Sequence, residues 1–245
     1  MPCEALAGAA KVAQPPADLF KVPAQGSLRL PVTVNAVIPG GLVPAGASAV
    51  VVNVTATAAT GAGFVQVIAT GGSTGLGASS NLNVEQAGQT IANLSIVPIG
   101  ADGTITIYAQ AGAHLVVDVA GYFTGTGAPA STGGLFVPVD PTRLIDTRTP
   151  PATKPGPGTP VVVTAGGVGG IPTSGVAAVF LNVTITDAEA PGYVTVYPGG
   201  VALPTVSNVN AERAGQTKPN AAFTGLGTGG VFNLYTQTGD RKSVV

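Results

Sequence analysis

Tryptophan is absent from this chain, and cysteine, histidine and methionine occur once each. A lone Cys3 excludes an intramolecular disulfide. One histidine and one cysteine are too few nitrogen and sulfur donors for a zinc or copper centre. No Asp-rich loop of the calcium-binding kind occurs either, so neither metal nor cofactor is expected. Charge is scarce: Asp, Glu, Lys and Arg make up 9% of the residues, against roughly 25% in an average soluble protein. With a formal net charge of −1, the chain lacks the basic footprint of a nucleic-acid binder. No apolar run reaches the ~18 residues that a membrane-spanning helix needs. Glycine does not recur in threes, which excludes collagen.

What the chain has is small and branched. Hydrophobic residues reach 45%, with 36 Gly and 21 Pro among 245 residues. Disorder would require few branched apolar residues and much charge, and neither holds. The length suits one large domain or two ordinary ones.

Internal repetition decides between them. Asn53-Val54-Thr55 recurs as Asn182-Val183-Thr184, and Gly63-Phe64-Val65 as Gly192-Tyr193-Val194. Ser80-Asn81-Leu82-Asn83 recurs as Ser207-Asn208-Val209-Asn210, and Ala87-Gly88-Gln89-Thr90 as Ala214-Gly215-Gln216-Thr217. Asn93 and Tyr108 then match Asn220 and Tyr235. Blocks in this order read as two copies of one module. In each, Val50, Val52 and Val54, or Val179, Leu181 and Val183, alternate with a second set of residues. Period-two alternation of β-branched residues marks a strand with one face on a core. Ile105 and Ile107, and their counterparts Phe232 and Leu234, belong to the same core. Turn signals such as Asp102-Gly103 punctuate these runs. The fold class expected is all-β: two tandem homologous β-sandwiches, immunoglobulin-like or jelly-roll.

The domains read as an N-terminal segment over 1–19, a first sandwich over 20–123, a linker over 124–134 and a second sandwich over 135–245. The first copy closes with His114-Leu115-Val116-Val117-Asp118-Val119-Ala120-Gly121-Tyr122-Phe123. In the second, Val245 aligns with Asp118, so a counterpart of Val119–Phe123 is missing from its sheet. The edge this leaves is an aggregation hazard unless covered. Strand addition is therefore expected, from the segment Met1–Lys21 or from another molecule, which allows a homo-oligomer.

The motifs Pro141–Arg148, Asn-Val-Thr, Ser-Asn-Leu-Asn, Ala-Gly-Gln-Thr and Val117–Phe123 together resemble the tandem β-rich modules of secreted and cell-surface actinobacterial proteins. The resemblance runs from about Phe20 onward. It implies an extracellular or cell-surface location and an accessory role, with no catalytic residues to carry over. Met1–Ala10 carries neither the basic region nor the apolar stretch of a secretory signal.

Five residues are candidate binding positions. His114 is the sole histidine available as a general base, yet no Gly-x-Ser-x-Gly elbow accompanies it, and a strand-end residue is the simpler reading. Asp118, between Val117 and Val119, has to be half buried and should have a partner. Arg143, Asp146 and Arg148 gather charge in a chain that has little. They read as an ion-pair cluster anchoring the first strand of the second copy, partly buried, or as a recognition site for an anion. Glu85 and Glu212, before Ala-Gly-Gln-Thr, read as turn residues. No catalytic residue is assigned. The leading function is a non-catalytic extracellular structural, adhesion or accessory module. A hydrolase of glycans or esters, with carboxylates near the module junction, is one alternative. A carbohydrate-binding module, with cell-wall glycan as its partner, is the other.

Overall fold

A computed structural model describes residues 3–11, 21–22, 24, 26–31, 43–125, 136–150, 155–237 and 240–244. The chain divides into two compact units, one of Met1–Glu4 and Ala10–Thr132, the other of Ala5–Ala9 and Gly133–Val245. Most of the expected linker, and much of the N-terminal segment, lies outside the described residues. Among the described residues the architecture is all-β, with 47% strand, no helix and no closed barrel. No helix among them is long and apolar enough to cross a membrane.

β1 (Cys3–Lys11) is divided between the units, and the first unit contains β2 (Lys21–Val22), β3 (Gly26–Pro31), β4 (Ala49–Thr57), β5 (Gly63–Ala69), β6 (Leu82–Val84), β7 (Ile91–Pro98), β8 (Thr104–Ala109) and β9 (Ala113–Phe123). One sheet has the order β1-β9-β4-β7, with β2 also on β9, and the other the order β3-β8-β5-β6. The second unit contains β10 (Val161–Thr164), β11 (Ala178–Ala188), β12 (Gly192–Pro198), β13 (Val209–Ala211), β14 (Lys218–Gly225), β15 (Val231–Thr236) and β16 (Asp240–Val244). Its sheets run β14-β11-β16 and β10-β15-β12-β13. Wherever the register is defined, neighbouring strands run antiparallel. The two units thus order their strands alike, with β4 standing where β11 stands and β9 where β16 does.

Each unit encloses its own core. Val50, Val52, Val54, Ile105 and Ile107 are buried in the first, and Val179, Leu181, Val183, Phe232 and Leu234 in the second. These are the core residues that the alternation singles out. Alternation misleads at β4, where Val51, Asn53 and Thr55, on the opposite face from the core set, are also buried. Period two identifies which residues share a face; it is silent on whether the second face is covered. The Asp102-Gly103 turn forms where expected. Gly103 adopts φ 77, which a side chain disfavours, and Asp102 Oδ1 accepts from the Thr104 N–H at 3.1 Å and from its hydroxyl at 2.7 Å.

The Pro141–Arg148 segment precedes β10, and its Leu144 and Ile145 pack on the second core. Two expectations need correction. β1 lies beside β9 and not on the edge of β11. The closing strand is also shifted by one residue. Val244 lies opposite Thr184 as Val116 lies opposite Thr55, so Val244 corresponds to Val116 and not to Val117. A one-residue slip exchanges the two faces of a strand, so alignment of this short, weakly similar end was the least secure part of the repeat.

Candidate functional site

The repeated polar motifs are the best-defined feature of both units. In the first, Asn81 Oδ1 accepts the Val67 N–H at 2.7 Å, and in the second, Asn208 Oδ1 accepts the Val196 N–H at 2.7 Å. Asn93 Nδ2 donates to the Asn81 carbonyl at 2.5 Å, and Asn220 Nδ2 to the Asn208 carbonyl at 2.6 Å. The Glu85 N–H donates to Gln89 Oε1 at 2.5 Å, and the Glu212 N–H to Gln216 Oε1 at 2.6 Å. The N–H of Gly88 donates to Ala59 at 2.7 Å, and that of Gly215 to Ala188 at 2.7 Å. Both glycines have positive φ, 76 and 74, which explains why this turn carries glycine twice. Each set fastens the loops flanking β6 or β13 to the neighbouring strands. Buried backbone groups must find partners, and here asparagine and glutamine amides provide them. Glu85 and Glu212 enter through their backbone, as turn residues.

One network differs between the units. Gln66, fully buried, donates from Nε2 to the Gly75 carbonyl at 3.1 Å and to Ser79 Oγ at 2.9 Å, while Gly77 N–H donates to its Oε1 at 2.8 Å. Thr195 occupies the matching place in β12 and donates to the Val206 carbonyl at 2.5 Å. Sequence reasoning missed both. The available signal was a polar residue flanked by valines in a strand whose far face is covered by the following loop.

The charged candidates divide between the units. Arg143 Nη1 lies 3.1 Å from Asp146 Oδ2. Arg148 donates from Nη2 to Oδ2 at 2.6 Å and from Nε to Oδ1 at 2.8 Å, and its backbone N–H reaches Oδ1 at 3.0 Å. The backbone contact closes a turn, since an aspartate commonly accepts from the N–H two residues on. Asp146 therefore pairs with both arginines, as its position suggests. The Arg148 hydrogen bond above all, with help from Arg143, holds the Asp146 carboxyl far below the usual carboxylate range. Asp146 in turn raises the Arg148 guanidinium. The expected burial is only half right. The carboxylate side chain is 13% exposed, but the arginines are 58% and 43% exposed. The guanidiniums themselves cover the carboxylate, and water reaches them freely, so the cluster behaves as a surface pair. Two cations facing one carboxylate leave a net positive charge that an anion can approach.

His114 and Asp118 both lie on β9, in the first unit. Asp118 is buried opposite Asn53 of β4, and it is not left without an interaction partner. His114 lies opposite Thr57 of β4 on one side and Lys21 of β2 on the other. Four residues along a strand separate them by roughly 13 Å, too far for a proton-transfer dyad. His114 and Asp118 belong to the first unit, and Arg143, Asp146 and Arg148 to the second. Among the described residues no three of His, Cys, Asp and Glu gather as metal ligands.

No protein-family model matches the chain, and no curated protein or solved structure matches it either.

Proposed function

We propose that the chain is two copies of one β-sandwich module and serves outside the cell, or at its surface, as a non-catalytic structural, adhesion or accessory element. One observation carries this reading. The repeated Asn81, Asn93 and Gln89 and their counterparts Asn208, Asn220 and Gln216 are engaged bond for bond in fastening loops to strands. A duplicated catalytic or ligand-binding site would instead repeat side chains whose functional atoms face an accessible cleft. The like order of strands in the two units supports the duplication. The resemblance to secreted actinobacterial modules supports the location.

The test is a panel of glycoside, ester and phosphoester substrates offered to the whole chain. No turnover is expected. Turnover abolished by replacing one carboxylate would make the protein a hydrolase and overturn the reading. Co-sedimentation with peptidoglycan, chitin and cellulose separates the remaining class. Retention by one glycan, lost when Arg143 and Arg148 are both replaced by alanine, would make it a carbohydrate-binding module.

A further inference from the structure

The arginines of Pro141–Arg148 take no part in the loop anchors or the cores, yet the segment that carries them is fixed at several points. Leu144 and Ile145 pack on the second core, and Thr147 is buried. The Arg148 N–H donates to Asp146 Oδ1 at 3.0 Å and the Thr149 N–H to the Asp146 carbonyl at 3.1 Å, which closes a turn at Arg148. Thr142 lies against a second turn, Val168–Ile171, where the Ile171 N–H donates to the Val168 carbonyl at 2.9 Å. Gly169 has φ 57 in that turn, and a Cβ on it would sit 2.6 Å from the Thr142 Cβ. Glycine alone lets the two segments approach so closely.

This anchoring presents two like charges at one spot. Asp146 Oδ2 lies 3.1 Å from Arg143 Nη1 and 2.6 Å from Arg148 Nη2. A single oxygen thus holds both guanidiniums at a separation that like charges would otherwise avoid. Asp146 engages only part of them. Among the described residues, Arg143 Nε and Nη2 and Arg148 Nη1 donate to no group of the protein. Asp140, the next acidic residue along the segment, is exposed and forms no ion pair with either arginine. One positive charge is therefore left over, with unused donors on solvent-exposed side chains.

We infer that Arg143 and Arg148 form a binding site for a phosphate group, with Asp146 as the residue that positions them. The planar fork of arginine bonds phosphate oxygens in pairs and keeps its charge at any pH the protein meets. A carboxylate offers two oxygens in one plane, and Asp146 already meets the Arg148 fork in that way. A phosphate spreads its oxygens tetrahedrally, so one group can take outward donors of both guanidiniums at once. The single negative charge of a phosphodiester also matches the positive charge that the cluster leaves over. The inference deepens the proposed adhesion role by giving it a ligand class. Its test reads binding alone, so failure here and turnover in the substrate panel are separate results.

The full chain is titrated with inorganic phosphate at pH 7 in about 0.15 M salt, and the arginine Nε–H resonances are followed by NMR. Those of Arg143 and Arg148 should shift together and saturate, with a dissociation constant of about 1–10 mM. Arg148→Gln should weaken binding by about tenfold, through loss of a charge-assisted hydrogen bond. Acetate should bind the parent chain at least about tenfold more weakly than phosphate. Asp146→Asn makes the cluster more positive, yet should weaken binding by about threefold, because the guanidiniums lose the group that holds them together. These are surface positions, so circular dichroism should be unchanged in each variant. A poly(glycerol phosphate) chain that binds more tightly per phosphate than the free ion identifies a polymer as the source of the group; equal binding identifies the free ion. Three results overturn the proposal. One is no saturating shift at either arginine up to about 50 mM phosphate. Another is acetate binding as tight as that of phosphate. The last is tighter binding by Asp146→Asn, which reduces the cluster to diffuse attraction of anions by positive charge.

Discussion

β4 and β11 carry the same motif in the same place, Asn-Val-Thr at the centre of a sandwich, yet they live in different surroundings. In β4 even the residues facing away from the core are buried; β11 keeps a plain alternation of buried and exposed positions. Asn53 is buried and Asn182 is exposed. The loop-fastening bonds, by contrast, are alike in both units to within about a tenth of an ångström. The difference teaches which part of each unit is fixed and which is open. Turns and loop anchors are set by short polar motifs that each unit carries within itself. The environment of the central strand depends on what its neighbours bring. Among the described residues, the exposed large apolar side chains are Leu76 and Ile96 in the first unit and Phe136, Val137, Val139, Val162, Phe180, Val201 and Leu203 in the second.

The comparison breaks first at the cores. Phe232 and Ile105 hold matching, fully buried positions. Phe232→Ala should cost about 3–5 kcal/mol and Ile105→Ala about 2–5, by lost transfer energy and the cavity left behind. Denaturant unfolding, fitted as separate transitions because two units need not melt together, should assign each loss to its own unit. A shift confined to the other unit would contradict the division of the core.

The loop anchors come next. Asn208→Ala leaves the Val196 N–H without its acceptor, and Asn81→Ala does the same to Val67. Each should cost about 1–3 kcal/mol, the penalty of an unsatisfied buried donor. The two losses should agree; a loss in one unit and none in the other would show that the shared motif does different work in each.

Central-strand substitutions should then diverge. Val51→Ala removes a buried side chain and should cost about 1.5–3 kcal/mol. Phe180→Ala, although the larger truncation, loses only a half-exposed ring and its pairing with Phe223, so about 0.5–1.5 kcal/mol is expected. Equal costs would mean that β11 is as enclosed as β4.

The smallest effect belongs to Asp146, whose partners are solvent-exposed and screened by salt. Its folded carboxyl titrates below its unfolded value of about 3.9. Its contribution is therefore fully present above that value and is lost as the pH falls below it toward the folded one. The melting temperature of Asp146→Asn should lie slightly below that of the parent at pH 7, the gap closing only in acid below about pH 4. A gap that closed between pH 7 and 5 would point to another group.

Much of this was legible in the residues. The core positions follow from period-two alternation, and Asp146 with its two arginines from charge gathered in a charge-poor chain. The burial of Val51, Asn53 and Thr55 was not legible, because it depends on cover from outside the strand. The roles of Asn81, Asn93 and Gln89 were read only as repeats, since a side chain that mimics a backbone partner leaves no hydrophobic pattern. Register at β16 failed for a related reason: over five residues, one slip changes little in sequence and everything in facing.

Hydrogen exchange tests most directly the claim that the two units share their anchors and differ at the central strand. Amides of Val50–Val54 should exchange only with opening of the whole first unit. Those of Ala178–Val183 that face away from β14 should exchange at least about tenfold faster than their β4 counterparts, while the Val67 and Val196 amides are equally protected. Equal protection along β4 and β11, in a monomer at low concentration, would contradict the account.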